Sequence, residues 1–407
     1  MTVGLVAMAL AAGACSTTEG GQGDTVSAGP RPSWAGLPDD PRAGGFLGWL
    51  RPPAEGAAAG QPGAPAPAPE PATTTTTLPP GPPNYLAHTM GQVSPALADM
   101  PVRVYVPNSD AHTLTVIDPA TFEVVARYST SWVPHHVTPS WDMTKLYINN
   151  TEGNQLTVLD PRTSKPVETL DIIDPYNLYF TPDGTKAIVV AERLQRLDYR
   201  DPHTWELIKS VKIPGAGVDH MDFTHDGRYL IASTEFSGHI VKVDNEKMEV
   251  ADYIHVGGLP IDVKMSPDGS VFYVTNQGTH GVHVIDPDTM KELAFIATDR
   301  GAHGLNYSRD TKRLFVSNRL AGSISVIDPV RNEVTATWKV GGSPDMLQVS
   351  TDGSQIWVSN RFHGSVSVID TNDGSVIKVI PTGAGAHGVA FYPQPGRFSV
   401  GHNGVYR

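Results

Sequence analysis

Histidines and aspartates recur at one point of a repeating unit about 42 residues long. Successive units place two consecutive residues at this point, and these pairs are His135-His136, Tyr176-Asn177, Asp219-His220, Ile261-Asp262, His303-Gly304, Asp345-Met346 and His387-Gly388. Five histidines and three aspartates therefore come from equivalent positions, which predicts that they converge on one site.

Clustered imidazoles without thiolates favour copper, zinc or non-haem iron as the bound metal. We predict a metal site with copper first, and iron and zinc as alternatives. The predicted ligands are His135, His136, His220, His303 and His387. Aspartates commonly orient the second ring nitrogen of a ligating histidine. This role is predicted for Asp219, Asp262 and Asp345.

A second set of side chains predicts a small or anionic ligand at the same face. Guanidinium groups suit a carboxylate or another anion. The predicted ligand-binding residues are Tyr176, Asn177, Arg193, Arg319 and Arg361. Two structural alternatives remain: arginines that pair with aspartates at the rim, and a polar ring that holds ordered water.

The elements that position these residues are short strands. Runs such as Leu314-Phe-Val316 and Ile324-Ser-Val-Ile327 are β-branched or aromatic, and Asn, Asp, Gly and Pro bound them. No segment keeps a helical apolar stripe over three turns. Asp-Gly turns such as Asp183-Gly184 fit a tight hairpin, and Pro after an Ile-Asp pair ends a strand. Four strands in each unit are typical of a propeller blade.

Counting the strands predicts an all-β fold, a seven-bladed β-propeller with a composite closing blade. The chain enters at a second strand, residues 102–108, and the last innermost strand is predicted at 388–391. One blade therefore joins both ends of the chain and closes the ring. Residues 398–403 resemble a further second strand, which is expected to lie over that blade.

The triplets Val274-Thr-Asn276, Val316-Ser-Asn318 and Val358-Ser-Asn360 resemble those of the bacterial YVTN-repeat propellers over about residues 100–392. The histidine ring also resembles the channel mouth of the nitrous oxide reductase propeller, in which histidines hold a copper cluster. Only five histidines occur here, without a cysteine-rich copper domain, so nitrous oxide reduction is not expected. One scaffold of this kind carries many activities, and the resemblance implies the fold more than the chemistry.

The N-terminal segments predict export and a lipid anchor. Residues 1–15 have a short apolar core that ends at Cys15, the only cysteine, and this resembles the lipobox of bacterial lipoproteins. Residues 16–84, rich in Pro, Ala, Gly and Thr, predict a disordered tether, and residues 85–407 the propeller. We expect an extracytoplasmic protein that contacts the membrane through its lipid.

Composition excludes several classes of function. The net charge of −12 argues against nucleic-acid binding, and no Cys-x-x-Cys-His sequence is present for c-type haem. We predict a metal- or ligand-binding propeller, with a redox step on a small substrate as one activity. Two alternatives remain open: a non-catalytic scaffold that binds a protein or polysaccharide, and a metal-dependent lactonase- or lyase-like enzyme.

Overall fold

A computed structural model describes Val93 and residues 97–395. The predicted lipobox, the predicted tether and residues 398–403 lie outside the described residues. Within 97–395, no helix is long and apolar enough to cross a bilayer.

Short strands make up almost all regular structure in the described part of the chain, apart from a 3-10 helix at Glu235–Ser237. In chain order the strands are β1 Arg103–Asn108, β2 Thr113–Asp118, β3 Glu123–Ser129, β4 Pro134–Pro139, β5 Leu146–Asn150, β6 Gln155–Asp160, β7 Lys165–Asp171, β8 Pro175–Phe180, β9 Ala187–Ala191, β10 Arg196–Arg200, β11 Leu207–Lys212, β12 Val218–Phe223, β13 Tyr229–Thr234, β14 His239–Asp244, β15 Glu249–His255, β16 Pro260–Met265, β17 Phe272–Asn276, β18 Gly281–Ile285, β19 Glu292–Ala297, β20 Ala302–Tyr307, β21 Leu314–Asn318, β22 Ser323–Asp328, β23 Glu333–Lys339, β24 Pro344–Val349, β25 Gln355–Asn360, β26 Ser365–Asp370, β27 Val376–Pro381 and β28 Ala390–Tyr392.

Seven four-stranded antiparallel sheets form the blades, which confirms the predicted seven-bladed propeller. Six sheets contain four consecutive strands, from β4–β7 to β24–β27. The seventh has the order β28-β1-β2-β3, so the two ends of the chain meet in the closing blade as predicted. The register pairs Val104 with Phe391 and Tyr105 with Ala390.

The closing strand begins two residues later than the sequence predicted. It was expected at residues 388–391 and is found at Ala390–Tyr392. The amide of Gly388 donates to the carbonyl of His135 in the next blade, at 3.0 Å, and does not pair with β1. The chain first pairs with β1 at Ala386 and His387, leaves the ladder at Gly388 to contact the next blade, and returns to it at Ala390.

The hydrophobic core lies between neighbouring blades. Tyr273 and Val282 of one blade pack with Leu305 and Val316 of the next. Burial of such β-branched and aromatic side chains is what holds each blade against the next. Glycines after Asp at the predicted hairpins, including Gly184 and Gly353, have φ of 71° and 78°, a conformation that glycine adopts without strain.

Candidate functional site

A β-bulge in the innermost strand interrupts the regular pairing at two consecutive residues of most blades. In the β4–β5 ladder, Pro134 pairs with Asn150 and Val137 with Ile148, so three steps along one strand oppose two along the other. The residues between them are His135 and His136. The same shift spans residues 219–220, 261–262, 303–304 and 345–346. Bulges re-aim side chains next to functional sites, and here they mark the positions that the repeat singled out.

Hydroxyl groups on the second strands fix these bulges across blades. Ser317 accepts a hydrogen bond from the amide of Gly304 at 2.8 Å and donates to the carbonyl of Asp345 in the next blade. Thr275 and Ser359 make equivalent links to His303 and His387. The middle residue of the Val-Ser/Thr-Asn triplet therefore sets the position of the site residue in the following blade.

Four histidines form one buried group, which we call the imidazole cluster: His135, His136, His220 and His387. The ring centroids of His135 and His136 are each 4.8 Å from that of His387 and 6.0 Å from each other. His220 stands 5.1 Å from His136. All four side chains are almost completely buried.

Asp345 joins two histidines and an arginine. Its carboxylate lies 2.9 Å from Nδ1 of His303 and 2.8 Å from Nδ1 of His387, and Arg319 pairs with it through Nε at 3.1 Å and through Nη2. Although burial opposes ionisation, Arg319 and the two histidines hold the pKa of Asp345 well below its usual range. Asp345 therefore contacts two imidazole rings at once.

The contacts of His303 differ from those of His387. Nη2 of Arg319 contacts Nε2 of His303, so an arginine donor occupies the second ring nitrogen as well. On His387, Nε2 is buried without a hydrogen-bond partner among the described residues. Burial, reinforced by Arg319, lowers the pKa of His303 to about 4. Burial lowers the pKa of His387 to about 3, so both rings are neutral at pH 7.

Acidic side chains lie around Tyr176 on one side of the site. The Asp219 carboxyl lies 3.2 Å from Nδ1 of His220, and Nδ2 of Asn177 lies 3.3 Å from the same nitrogen. Burial raises the pKa of Asp219 well above its usual value, and Glu235 and Glu192 raise it further. The surroundings of Asp219 thus disfavour its ionised form, whereas those of Asp345 favour it.

The residues directly after the second strand of each blade form an outer ring. Its members are Ser109, Thr151, Glu192, Glu235, Gln277, Arg319 and Arg361. Thr151 Oγ1 lies 2.8 Å from Nδ1 of His135, and Oε1 of Gln277 accepts from Arg319 at 3.1 Å. Sequence reasoning missed Ser109, Thr151 and Gln277 as site residues. They lie at multiples of 42 residues from Arg319 and Arg361, and this periodicity is the signal that could have identified them.

Two predicted residues have contacts of a different kind. Arg193 lies one residue beyond the outer-ring position and pairs with Asp174 at 2.5 Å, so it joins two loops of its own face. Asp262 accepts hydrogen bonds from the amides of Val263 and Leu305, each at 2.9 Å, which links neighbouring blades. We therefore leave Arg193 and Asp262 out of the proposed binding residues.

Within the described residues, no three His, Cys, Asp or Glu side chains already present their donor atoms to one point in a metal-holding arrangement. The rings of the imidazole cluster lie close together, but their planes are inclined by 29° to 74°. Rotation about the Cβ–Cγ bond changes where a ring nitrogen points while leaving the ring centre almost in place. A metal at this cluster would therefore require some of the rings to turn about that bond.

Residues 72–395 match the YNCE-like β-propeller family. The chain belongs to this family. No curated protein matches the chain.

Several solved structures share the fold at low identity. Dihydro-heme d1 dehydrogenase NirN in complex with DHE is 18% identical, with a TM-score of 0.57 and 78% of each chain covered. A putative 6-phosphogluconolactonase from Bacteroides uniformis is 16% identical, with a TM-score of 0.60, covering 71% of this chain and 99% of that one. Hydrazine synthase of Kuenenia stuttgartiensis is 19% identical, with a TM-score of 0.55, covering 62% and 87%. At these identities the likeness concerns the fold alone.

Proposed function

We propose that this propeller binds a metal ion, copper first, at the imidazole cluster. The observation that carries the proposal is the triangle formed by the rings of His135, His136 and His387, with centroid separations of 4.8, 4.8 and 6.0 Å. When imidazoles bind a tetrahedral metal through nitrogens about 2.0 Å away, their ring centroids stand about 5 Å apart. The triangle has that size, and His220 is close enough to supply a fourth ligand.

Hydrogen bonds to the other ring nitrogens support the same assignment. Nδ1 of His387 donates to Asp345, and Nδ1 of His135 donates to Thr151, whose hydroxyl in turn contacts the carbonyl of Pro175. This tautomer leaves Nε2 with the lone pair that a metal needs. Outer-shell carboxylates and hydroxyls orient metal-binding histidines in this way. His303, predicted as a ligand, is excluded from the proposed set because Arg319 contacts its Nε2.

The donor set favours copper because it contains neutral imidazoles and no thiolate, with iron and zinc as the alternatives. A bound copper would supply one-electron chemistry to a small substrate. The identity of the metal also separates the rival functions. Zinc would favour a lactonase- or lyase-like hydrolytic role, and the absence of specific metal binding would favour a scaffold for a protein or polysaccharide.

Metal stoichiometry is the decisive measurement. Protein purified without an affinity tag is loaded with copper, competed with a mild chelator, and analysed for metal per chain. We expect the His135→Ala/His387→Ala variant to lose the retained metal, because three ligands fall to one. The exposed His203→Ala variant is the matched control and should retain it. His303→Ala should also retain it, and if the double variant binds as much as the parent, the proposal is wrong.

We also propose that the protein is exported and held at the outside of the cell membrane through a lipid on Cys15. The support is the short apolar core that precedes this lone cysteine. Replacing Cys15 with Ala should move the protein from the membrane fraction to the soluble fraction, because acyl chains supply the membrane affinity. A variant that stays with the membranes after a salt wash would show that another element anchors it.

A further inference from the structure

Arg361 carries a buried positive charge and has few hydrogen-bond partners among the described residues. Its side chain is 4% exposed, yet among the described residues the guanidinium makes one hydrogen bond, from Nη1 to Oγ of Ser109 at 3.4 Å. That hydroxyl also donates to the carbonyl of Pro134 at 2.7 Å. A guanidinium carries five N–H donors, and a buried charge is costly unless it is paired and hydrogen-bonded.

The equivalent arginine one blade earlier shows what a satisfied member of the outer ring looks like. Arg319 pairs with Asp345 through two nitrogens, and it also reaches Gln277 and His303. Arg361 occupies the same position of its own blade, but Asp345 is already held by Arg319, His303 and His387. Arg319 and Arg361 thus occupy neighbouring blades, but the ionised Asp345 pairs with Arg319 and not with Arg361.

The charges around Arg361 leave a deficit of negative charge. Two other carboxylates interact with it electrostatically: Asp110, which is exposed, and Glu235, which is only partly buried. Glu235 also interacts with Arg319. Ser109, which contacts Arg361, also binds the carbonyl of Pro134, the residue before His135, so Arg361 lies beside the imidazole cluster.

We infer that Arg361 binds the oxyanion group of a small ligand, either an organic carboxylate or an inorganic oxyanion, beside the imidazole cluster. The planar fork of a guanidinium matches the two oxygens of such a group. The ligand must be small, because the surrounding residues Ser109, Asp345 and His387 are buried. Binding of an oxyanion at Arg361 does not require the proposed metal. An oxyanion bound there would nevertheless lie next to the metal and help to neutralise its positive charge.

Titration calorimetry on metal-free protein tests the inference. Acetate and inorganic phosphate are titrated separately at constant ionic strength, with chloride as the reference salt. We expect saturable binding of at least one oxyanion, and binding weaker by about tenfold or more in Arg361→Gln, which loses the charge-assisted hydrogen bonds. Arg361→Lys keeps the charge without the fork and should bind with intermediate affinity. Arg331→Gln, at an exposed arginine, is the control and should bind like the parent.

The two titrants identify the source of the oxyanion. Acetate binding alone indicates an organic carboxylate, whereas phosphate binding indicates an inorganic oxyanion. The inference fails if neither ion binds saturably, if chloride gives the same response, or if Arg361→Lys binds both ions as tightly as the parent. Thermal unfolding of each variant confirms that it is folded, and Arg361→Lys keeps the test valid if Arg361→Gln does not fold. Because the protein is free of metal, failure here leaves the metal proposal standing.

Discussion

Asp345 divides the histidines of the site into two kinds. It contacts Nδ1 of both His303 and His387, but Arg319 then occupies Nε2 of His303 and leaves Nε2 of His387 available. A buried ionised carboxylate fixes the tautomers of its partners because it can only accept hydrogen bonds. The side chain next to each ring, more than the histidine itself, therefore determines which rings can bind a ligand.

Glu235 gives the metal-free protein a pH dependence near neutrality. Burial raises the pKa of Glu235 to about 7, and Asp345 adds to this while Arg319 and Arg361 oppose it. The folded state holds the proton more tightly than the unfolded chain. Its contribution to stability is therefore complete below the unfolded pKa and is lost as pH rises through about 7.

We expect Glu235→Gln to be more stable than the parent above neutrality by about 1–2 kcal/mol, a value reduced from the full linkage energy because the side chain is partly exposed. Below the unfolded pKa the two proteins should differ little from this cause. Denaturant unfolding at a series of pH values gives the comparison. Glu246→Gln, an exposed glutamate in the same blade, should follow the parent. Parallel curves for Glu235→Gln and parent would contradict the assignment.

At the level of elements, the bulge and the hydroxyl link position the site. The repeat period predicted which residues are equivalent, because each repeat of about 42 residues contains the same pattern of four strands. The bulges could not be predicted, since the strand composition continues through them without a break. Arg193 pairs with Asp174, which is the rim pairing that the sequence left open, and the outer-ring position of its blade is one residue earlier, at Glu192. Side-chain pairs such as Arg319 with Asp345 join neighbouring blades, and sequence spacing does not show how the two side chains are oriented.

The hydroxyl link can be tested at Ser317. Ser317→Ala leaves the amide of Gly304 and the carbonyl of Asp345 without their partner in a buried place, so the variant should lose about 1–3 kcal/mol of stability. Ser317→Thr is the matched control, because Thr275 makes the same link in the preceding blade. We expect the threonine variant to unfold close to the parent in a denaturant titration. Equal loss in both variants would indicate steric disturbance and not a missing hydrogen bond.

At the scale of the whole molecule, the last strand connects the closing blade to both neighbours. Phe391 packs with Trp357 and Val368 of the preceding blade. Tyr392 packs with Leu146 and Val137 of the following blade. The same end of the chain carries His387, so closure of the ring and completion of the imidazole cluster depend on one segment. Without β28, β1 would be an unpaired inner edge of the closing blade, which explains why so short a strand can matter.

Removing the chain from Gly385 onward should therefore abolish cooperative unfolding. Truncating a single buried large apolar side chain costs about 2–5 kcal/mol, and the deletion removes Val389, Phe391 and Tyr392 together, against a total stability of about 5–15 kcal/mol. A chain that ends at Pro395 keeps every described strand and is the matched control, which should melt in one transition. Differential scanning calorimetry and near-ultraviolet circular dichroism give the readout. If the shorter chain melts like the control, β28 does not close the propeller, and the imidazole cluster must be assembled without it.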